Sequence, residues 1–335
     1  MALLSWSSLK RGAAAVAALA LAAGLAACSE TGGRPRGGEG PGGTAGGVDT
    51  PRLTVAMVTH GAPGDTFWDL VRRGAEDAAK KNNIELRYSA DPQSPNQSNL
   101  VDNAVDSRVD GIAMTMPNAA ALAPAARRAD EAGIPVVGLN SGMEEWQDAG
   151  MSAFFGQDES VAGRAAGEEL AERGAGRVLC VIHEQGNDAQ EERCRGVAEG
   201  AAGAEVETLY VNGMELAAAQ ATMEAKLQED DAIDAIMALT APVAMRAVAA
   251  ASGSEVAVAT FDTDAELAGA IEAGDVAFAV DQQPYLQGYL AVDAIWLAHR
   301  NGSAPGGGRP VYTGPSIVDE TNVDDILEAA REGLR

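Results

Sequence analysis

From Pro51 onward the chain alternates between short apolar runs and longer amphipathic stretches. Several apolar runs, such as "IPVVGL" and "EVAVATF", are almost uninterrupted, which is typical of strands buried on both faces of a parallel sheet. The stretches between them carry the apolar spacing of helices. The pattern predicts strands at 53–59, 84–89, 111–115, 135–139, 152–156, 177–182, 205–211, 233–239, 255–261 and 276–281, and helices that include 67–82, 119–132, 159–173, 214–229 and 284–299.

Repeated strand–helix units predict a doubly wound α/β fold. So many strands fit two sheets of about five better than one sheet, and the natural division falls near "FFGQDES" at 154–160. We therefore expect two similar lobes, one over 52–156 and one over 157–283. Because ligands bind beyond the carboxyl ends of parallel strands, the two facing sheet edges predict a cleft.

Composition narrows the class of partner. The chain has 335 residues, of which 46% are hydrophobic and 22% charged, as in an ordinary soluble globular protein. Its formal net charge of −25 argues against nucleic acid as a partner, because phosphates require Lys and Arg. The charge also argues against adsorption to an anionic membrane face, and its simplest interpretation is solubility.

The N-terminus is predicted to lie outside the fold. Lys10 and Arg11 precede an apolar run too short and too rich in small residues for a membrane span, so residues 1–27 are interpreted as a signal peptide. The run ends in "LAAC", which resembles a bacterial lipobox and implies cleavage before Cys28, lipidation of its thiol and anchoring to the outer face of the cell membrane. The alternative is a secretory signal with an incidental cysteine. The Gly-rich residues 28–51 indicate a flexible tether.

Two cysteines remain, Cys180 and Cys194. An even pair in an extracytoplasmic protein suggests a disulfide. Because "RVLCVI" is a predicted strand and "ERCRGV" begins a helix after a loop, the two residues are able to approach each other. We hypothesise a Cys180–Cys194 bridge, and the alternative is two buried free thiols.

Motifs of catalysis are missing from the sequence. The segment "HEQGN" at 183–187 is not the HExxH of zinc proteases, no cysteine spacing matches a zinc site, and "GAPGDT" lacks the lysine of a phosphate-binding loop. Asp262 and Asp264 form a possible carboxylate pair, but an aspartate after a strand more often caps the next helix. The sequence therefore predicts no catalytic residue, no metal site and no cofactor.

A binding site is better supported. Phe67 and Trp68 open a predicted helix at the cleft, where a flat aromatic face suits the CH face of a sugar or polyol ring. The alternative is that these aromatics only attach the helix to the core, and Asp65 before them is able both to cap that helix and to accept bonds from hydroxyls. Arg193 is either a solvated surface residue or a donor to ring and hydroxyl oxygens. Neutral donors and acceptors are available at Asn140, Thr240 and Gln282.

These residues lie within motifs that resemble a family. From about residue 52 to 318 the chain is similar to the periplasmic sugar-binding proteins of bacterial ABC importers, in the ribose/galactose/xylose-type group with the type I two-lobe fold. The matching segments, in order, are "DTFW", "RVDGIAMTMPNAAALAPAARRADEAGIPVVGLNSG", "GQDESVAGRAAGEEL", "RCRGV", "TFDTDAE" and "VDQQPYLQGYLAV". The resemblance implies ligand contacts at Asp65, Phe67, Trp68, Asn140, Arg193, Thr240, Asp262 and Gln282.

The resemblance also implies how the chain would work. Three crossings near 156–158, 282–284 and 312–315 would form a hinge, with about 284–312 completing the N-terminal lobe and about 313–320 the C-terminal lobe. Ligand between the lobes would favour a closed form that docks on an ABC importer permease. The family usually works as a monomer.

Departures from the family pattern bear on the ligand. Many pentose and hexose binders carry Asp-Arg where this chain has Asn140 and Ser141, and Asn or Asp is common where Thr240 stands. The first loop is also longer than in ribose binders, with His60 and Gly61 near the cleft. A neutral polyol or a pentose therefore fits as well as a hexose.

The sequence leaves open three alternatives from other functional classes. A sensory binding lipoprotein, which presents its ligand to a receptor, would share the same lobe chemistry. A sugar-responsive transcription regulator would need an N-terminal helix-turn-helix, where this sequence has a lipobox-like motif and a Gly-rich segment. A secreted enzyme would need a nucleophile–base or metal constellation.

Overall fold

The computed structural model describes residues 50–335, and this part of the chain forms two lobes around two six-stranded sheets. The first lobe contains β1 (Leu53–Thr59), α1 (Thr66–Lys81), β2 (Ile84–Ala90), α2 (Ser94–Asp106), β3 (Gly111–Met114), α3 (Ala119–Glu131), β4 (Val136–Asn140), β5 (Ala153–Gly156), α9 (Pro284–Asn301), a short 3₁₀ turn (Pro305–Gly307) and β11 (Val311–Tyr312). The second contains α4 (Glu159–Glu172), β6 (Arg177–Ile182), α5 (Asp188–Gly200), β7 (Glu205–Tyr210), α6 (Leu216–Glu229), β8 (Ala235–Ala238), α7 (Ala241–Ala250), β9 (Ala257–Phe261), α8 (Ala265–Ala273), β10 (Phe278–Asp281), β12 (Ser316–Asp319) and α10 (Asp324–Arg331).

The two sheets share one strand order. It runs β2-β1-β3-β4-β5-β11 in the first lobe and β7-β6-β8-β9-β10-β12 in the second. All neighbouring strands are parallel except β10 and β12, which are antiparallel. The predicted fold class, a pair of similar doubly wound lobes, is therefore confirmed.

Each sheet gains one strand beyond the ten that the apolar pattern predicts. These strands are β11, which pairs with β5, and β12, which pairs with β10. Both are short, with sequences "VY" and "SIVD", and neither carries an apolar run long enough to be recognised by its period. Their pairing is decided by the sheet edges already present.

Three crossings join the lobes. The chain passes between them at 157–158, at 282–283 and at 313–315. The crossings are hydrogen-bonded to one another, because the Thr313 N–H donates to the carbonyl of Gly156 at 2.7 Å and the Gln283 side chain donates to the carbonyl of Thr313 at 2.6 Å. They therefore form one connected segment beside the cleft.

Apolar side chains cover both faces of each sheet. In the first lobe, α1 and α9 pack on one face around Met57 and Leu139, and the other face is covered around Ile112 and Leu122. The second lobe has the same plan, with Cys180 in one of its two clusters. Strands buried on both sides read as continuous apolar runs, which is why the sequence reveals them so clearly.

Each lobe contains a pair of closely packed helices. A Cβ atom on Gly74 of α1 would lie 1.9 Å from the carbonyl oxygen of Tyr285 in α9, so only glycine permits this approach. In the second lobe, a Cβ on Gly163 of α4 would lie 2.3 Å from the carbonyl oxygen of Arg193 in α5. The backbones of α1 and α5 are thereby held close to a partner helix.

Within residues 50–335, no helix combines the length and the apolar character that crossing a bilayer requires. The predicted signal peptide, the lipidated Cys28 and most of the tether lie outside the described residues.

Candidate functional site

A small cavity lies between the lobes, at the carboxyl ends of the strands. The cavity brings together all the ligand-binding residues expected from the sequence. These are Asp65, Phe67, Trp68, Asn140, Arg193, Thr240, Asp262 and Gln282.

The first lobe supplies an aromatic wall. The Phe67 and Trp68 rings meet edge to face with centroids 4.9 Å apart, and the His60 ring meets Trp68 at 4.6 Å. The Asp65 carboxylate caps α1 by accepting from the Phe67 N–H at 3.0 Å. Gly61 leaves room for the indole, because a Cβ there would lie 2.6 Å from the Trp68 ring. Both aromatic side chains are only 6% exposed and pack in the core of the lobe, so they attach α1 to that core while also lining the cavity.

The second lobe supplies a charged wall. The Arg193 guanidinium donates from Nε to Glu159 at 2.6 Å and from Nη2 to the other oxygen of Glu159 at 2.9 Å. It also lies 4.6 Å from the centroid of the Phe261 ring. Burial would lower the pKa of the guanidinium, but the Glu159 carboxylate raises that pKa above its usual range. Arg193 is therefore a buried cation in fixed geometry, not a solvated surface residue.

A chain of amides connects the two walls. Asn140 Nδ2 donates to Gln282 Oε1 at 3.1 Å, and Gln282 Nε2 donates to Asp262 Oδ1 at 2.7 Å. Asn140 and Asp262 occupy the ends of β4 and β9, which are equivalent strands of the two lobes, and both have a left-handed φ, of 64° and 66° respectively. Such conformations are costly for residues other than glycine, are tolerated best by Asn and Asp, and cluster at functional sites.

Direct contacts between the lobes close the cleft. The Thr66 hydroxyl donates to the Asp264 carboxylate at 2.9 Å, and the Asp188 N–H donates to the carbonyl of Pro117 at 2.8 Å. His60 Nε2 of the first lobe lies 3.7 Å from Glu184 Oε2 of the second. Thr240 lies directly before α7 and lines the cavity, with 5% of its surface exposed. The structure is therefore a closed arrangement of the lobes.

Five further polar residues line the cavity and were not among the ligand contacts expected from the sequence. They are His60, His183, Glu184, Asn187 and Gln190. His60 and His183 directly follow β1 and β6, the first strands of the two lobes, so their strand-end positions already pointed to the cleft. Gln190 lies three residues before Arg193 on α5, and this helical spacing is the signal that could have identified it.

Burial governs the electrostatics of the cavity. Burial, aided by Glu184, raises the pKa of Asp65 to about 7, and burial raises the pKa of Asp262 to about 7 although Arg193 opposes the shift. Burial lowers the pKa of His60 to about 3 and that of His183 to about 4. Near neutral pH the imidazoles are therefore uncharged, and each of these carboxyls can donate or accept a hydrogen bond. Such a mixture suits hydroxyl groups, which do both.

Cys180 and Cys194 are joined in the structure, with their Cα atoms 5.8 Å apart. The bond ties β6 to α5, one residue after Arg193. It therefore helps to fix the helix that carries the guanidinium.

Comparison with known proteins agrees with this geometry. The sequence model of the periplasmic binding protein domain family matches residues 55–302, and the chain belongs to that family. A carbohydrate transporter from Acidothermus cellulolyticus 11B, solved in complex with myo-inositol, is 46% identical, with a TM-score of 0.84 over 85% of this chain and 100% of that chain. The family resemblance inferred from the sequence motifs is confirmed.

More distant relatives extend the comparison. A glucose-galactose binding protein from Geobacillus stearothermophilus is 21% identical, with a TM-score of 0.72 over 82% of this chain and 99% of its own, and bears on the fold alone. The xylitol-binding protein of Mycolicibacterium smegmatis is 29% identical over 187 residues, which are 55% of this chain and 48% of that protein. That match spans about half of the curated relative.

Proposed function

We propose that this protein captures a small neutral polyol or sugar between its two lobes and delivers it to an ABC importer. The observation that carries the proposal is the cavity between the lobes, to which both lobes contribute buried polar side chains and the first lobe contributes buried aromatic ones. A ligand that contacts both walls binds the closed form better than the open form and shifts the population toward it.

The lining chemistry favours a ring that carries several hydroxyls. The faces of Phe67 and Trp68 suit the CH surface of such a ring, while Arg193, Asp262 and Gln282 offer donors and acceptors at its edge. Ligand-binding roles for these residues, and for Asp65, Asn140 and Thr240, are part of the proposal.

Relatives point to polyols. The protein at 46% identity was solved with myo-inositol, and the curated relative is named for xylitol. Both molecules are neutral and polyhydroxylated. We therefore place a cyclic polyol of inositol size first among candidate ligands, with pentitols and monosaccharides next.

We further propose that the protein acts outside the cytoplasm as a monomer, anchored to the outer face of the cell membrane through lipid on Cys28. The "LAAC" motif and the Gly-rich segment after it support this proposal. Mass spectrometry of the protein from cells would test it, since a diacylated N-terminal cysteine is expected and an unprocessed N-terminus would contradict it.

A thermal-shift screen tests the ligand class. The panel comprises myo-inositol, xylitol, ribose, glucose, a nucleoside and an amino acid, each at millimolar concentration. A ligand at a hundred times its dissociation constant stabilises the folded state by about 2.7 kcal/mol, so a true ligand raises Tm clearly. A shift with a neutral polyol or sugar is expected, whereas shifts confined to the nucleoside or the amino acid would contradict the proposal.

Delivery to an importer needs a cellular test. Uptake of the radiolabelled ligand should fall strongly when the gene is deleted and return when it is restored. Unchanged uptake, with ligand binding intact in vitro, would contradict the transport role while leaving the binding role in place.

A further inference from the structure

The guanidinium of Arg193 stands between the cavity and a carboxylate behind it. Arg193 lines the cavity, whereas Glu159 lines an adjoining groove next to Asp188 and reaches the guanidinium from behind. Glu159 occupies both Nε and Nη2, and Nη1 lies 3.5 Å from the carbonyl oxygen of Leu239. Because arginine has five N–H donors, this pattern leaves part of the guanidinium edge for a ligand.

Glu159 is itself held firmly. It is the first residue of α4, where the partial positive charge of a helix N-terminus favours a carboxylate, and it is 7% exposed. The side chain of Gln157, at the first lobe crossing, donates to Glu159 Oε2 at 2.9 Å. The buried ion pair therefore has fixed geometry on both sides.

The charged groups that line the cavity show how the Glu159–Arg193 pair affects the charge of ligand that the cavity can hold. The cavity wall carries one cation, Arg193, and three carboxyls, those of Asp65, Glu184 and Asp262. His60 and His183 add no charge near neutral pH, because burial lowers the pKa of each to about 3 and about 4 respectively. With Glu159 paired to Arg193, the cavity offers no uncompensated positive charge to an anionic ligand.

We propose that Glu159 is a specificity-determining residue that acts through Arg193. By neutralising the guanidinium and fixing its orientation, it makes the cavity accept neutral polyols and reject ring sugar acids of similar size. Glu159 does not touch the ligand, so it is a positioning residue. The inference rests on the proposed function, because it presupposes that a neutral polyol is the ligand.

The test compares two ligands, myo-inositol and D-glucuronate, by calorimetric titration of the wild type and of Glu159→Gln. At about pH 6, below the pKa values near 7 of Asp65 and Asp262, these two carboxyls contribute less to repulsion of an anionic ligand than at higher pH. We expect the wild type to prefer myo-inositol by about a hundredfold or more, and Glu159→Gln to narrow that preference by at least about tenfold.

Matched variants separate specificity from structure. Glu168→Gln removes the same charge from an exposed position of the same helix and should leave the preference unchanged. Glu159→Asp keeps the charge and should retain most of the preference even where both affinities fall. If Glu159→Gln weakens both ligands equally and leaves their ratio unchanged, the inference is wrong, because a merely structural role has that signature.

A double variant covers the case in which Glu159→Gln does not fold. The variant that carries both Glu159→Gln and Arg193→Gln removes the two charges of the buried pair together. We expect this variant to exclude D-glucuronate, as the wild type does. Binding of D-glucuronate by the double variant would overturn the inference. A wild type that binds no neutral polyol would overturn the proposed function itself and this inference with it, so the two failures are distinguishable.

Discussion

Helices α1 and α5 occupy equivalent places in the two lobes, since each follows the first strand of its sheet and each delivers side chains to the cavity. Helix α1 presents the aromatic pair Phe67 and Trp68, which packs into the core of its lobe. Helix α5 presents Arg193, which is neutralised by Glu159, and it is tied to β6 through Cys194. The same topology therefore supports an apolar wall on one side and an ionic wall on the other.

The shared topology fixes which strands and helices line the cavity, while each wall is stabilised in its own way. Aromatic residues of α1 obtain their position from burial, which stabilises the lobe at the same time. Burial alone cannot hold a guanidinium in place, because removing a charge from water is costly unless the charge is paired. The ionic wall therefore needs Glu159, the stacked Phe261 ring and the Cys180–Cys194 bond.

Arg193→Ala should break the ionic wall most completely. It leaves the Glu159 carboxylate buried without its partner, and breaking a buried pair in this way costs about 3–5 kcal/mol of folding free energy. We expect ligand affinity to fall by about a hundredfold or more, measured by calorimetry on folded protein. Equal affinity in the variant would mean that the guanidinium makes no contact with ligand.

Trp68→Ala should break the aromatic wall. The indole is buried in both the core and the cavity wall, so the variant should lose up to about 3–5 kcal/mol of stability and weaken ligand binding by well over tenfold. Phe67→Ala is the matched variant, and denaturant unfolding gives the stability of each. Undiminished affinity in both variants would contradict the role of this pair as a ligand platform.

Replacing Cys180 and Cys194 by Ser tests how much the disulfide stabilises α5. The corresponding helix of the first lobe, α1, is held only by noncovalent packing, including that of Phe67 and Trp68. A bond between residues 14 apart in sequence is worth about 3 kcal/mol through the smaller entropy of the unfolded chain. We expect a loss of that order in guanidinium unfolding. Peptide mapping of the unreduced wild type should find the two cysteines linked, and two alkylatable thiols would contradict the bridge.

Asp262→Asn makes the end of β9 resemble the end of β4, where Asn140 stands with nearly the same φ. Burial raises the pKa of Asp262 to about 7 from its ordinary value of 3.8, so the folded state binds this proton more tightly than the unfolded state. Stability due to this group therefore falls as pH rises from about 4 to about 7, and the variant loses that dependence.

The free energy of unfolding of Asp262→Asn, relative to that of the wild type, should increase between about pH 4 and pH 7 by about 1–2 kcal/mol and then stay constant. The increase is this small because relaxation around the buried carboxylate reduces the cost of ionising it. Thermal unfolding at several pH values measures it. Comparing variant with wild type cancels the opposite slope from His60 and His183, whose pKa values burial lowers to about 3 and about 4. A constant difference across the window would contradict the raised pKa of Asp262.

Much of this molecule can be predicted from its sequence, because doubly buried strands leave continuous apolar runs and strand ends locate the cleft. The positions of the eight expected cavity residues could be predicted from these strand ends together with the family motifs. Strands β11 and β12 could not be predicted, because their pairing depends on sheet edges that are formed by distant segments of the chain. The partnership of Glu159 with Arg193 was equally hidden, because the residues are 34 positions apart and a glutamate at a helix start also suits an exposed first turn.

We propose that a neutral polyol binds between the aromatic and ionic walls. Isothermal titration of the purified protein with myo-inositol tests it most directly. We predict one site per chain with a dissociation constant of about 10 μM or tighter, equivalent to roughly −7 kcal/mol or more, and severe weakening in both Trp68→Ala and Arg193→Ala. Absence of binding in the wild type, or binding that survives both substitutions unchanged, would show that the ligand does not bind between these walls.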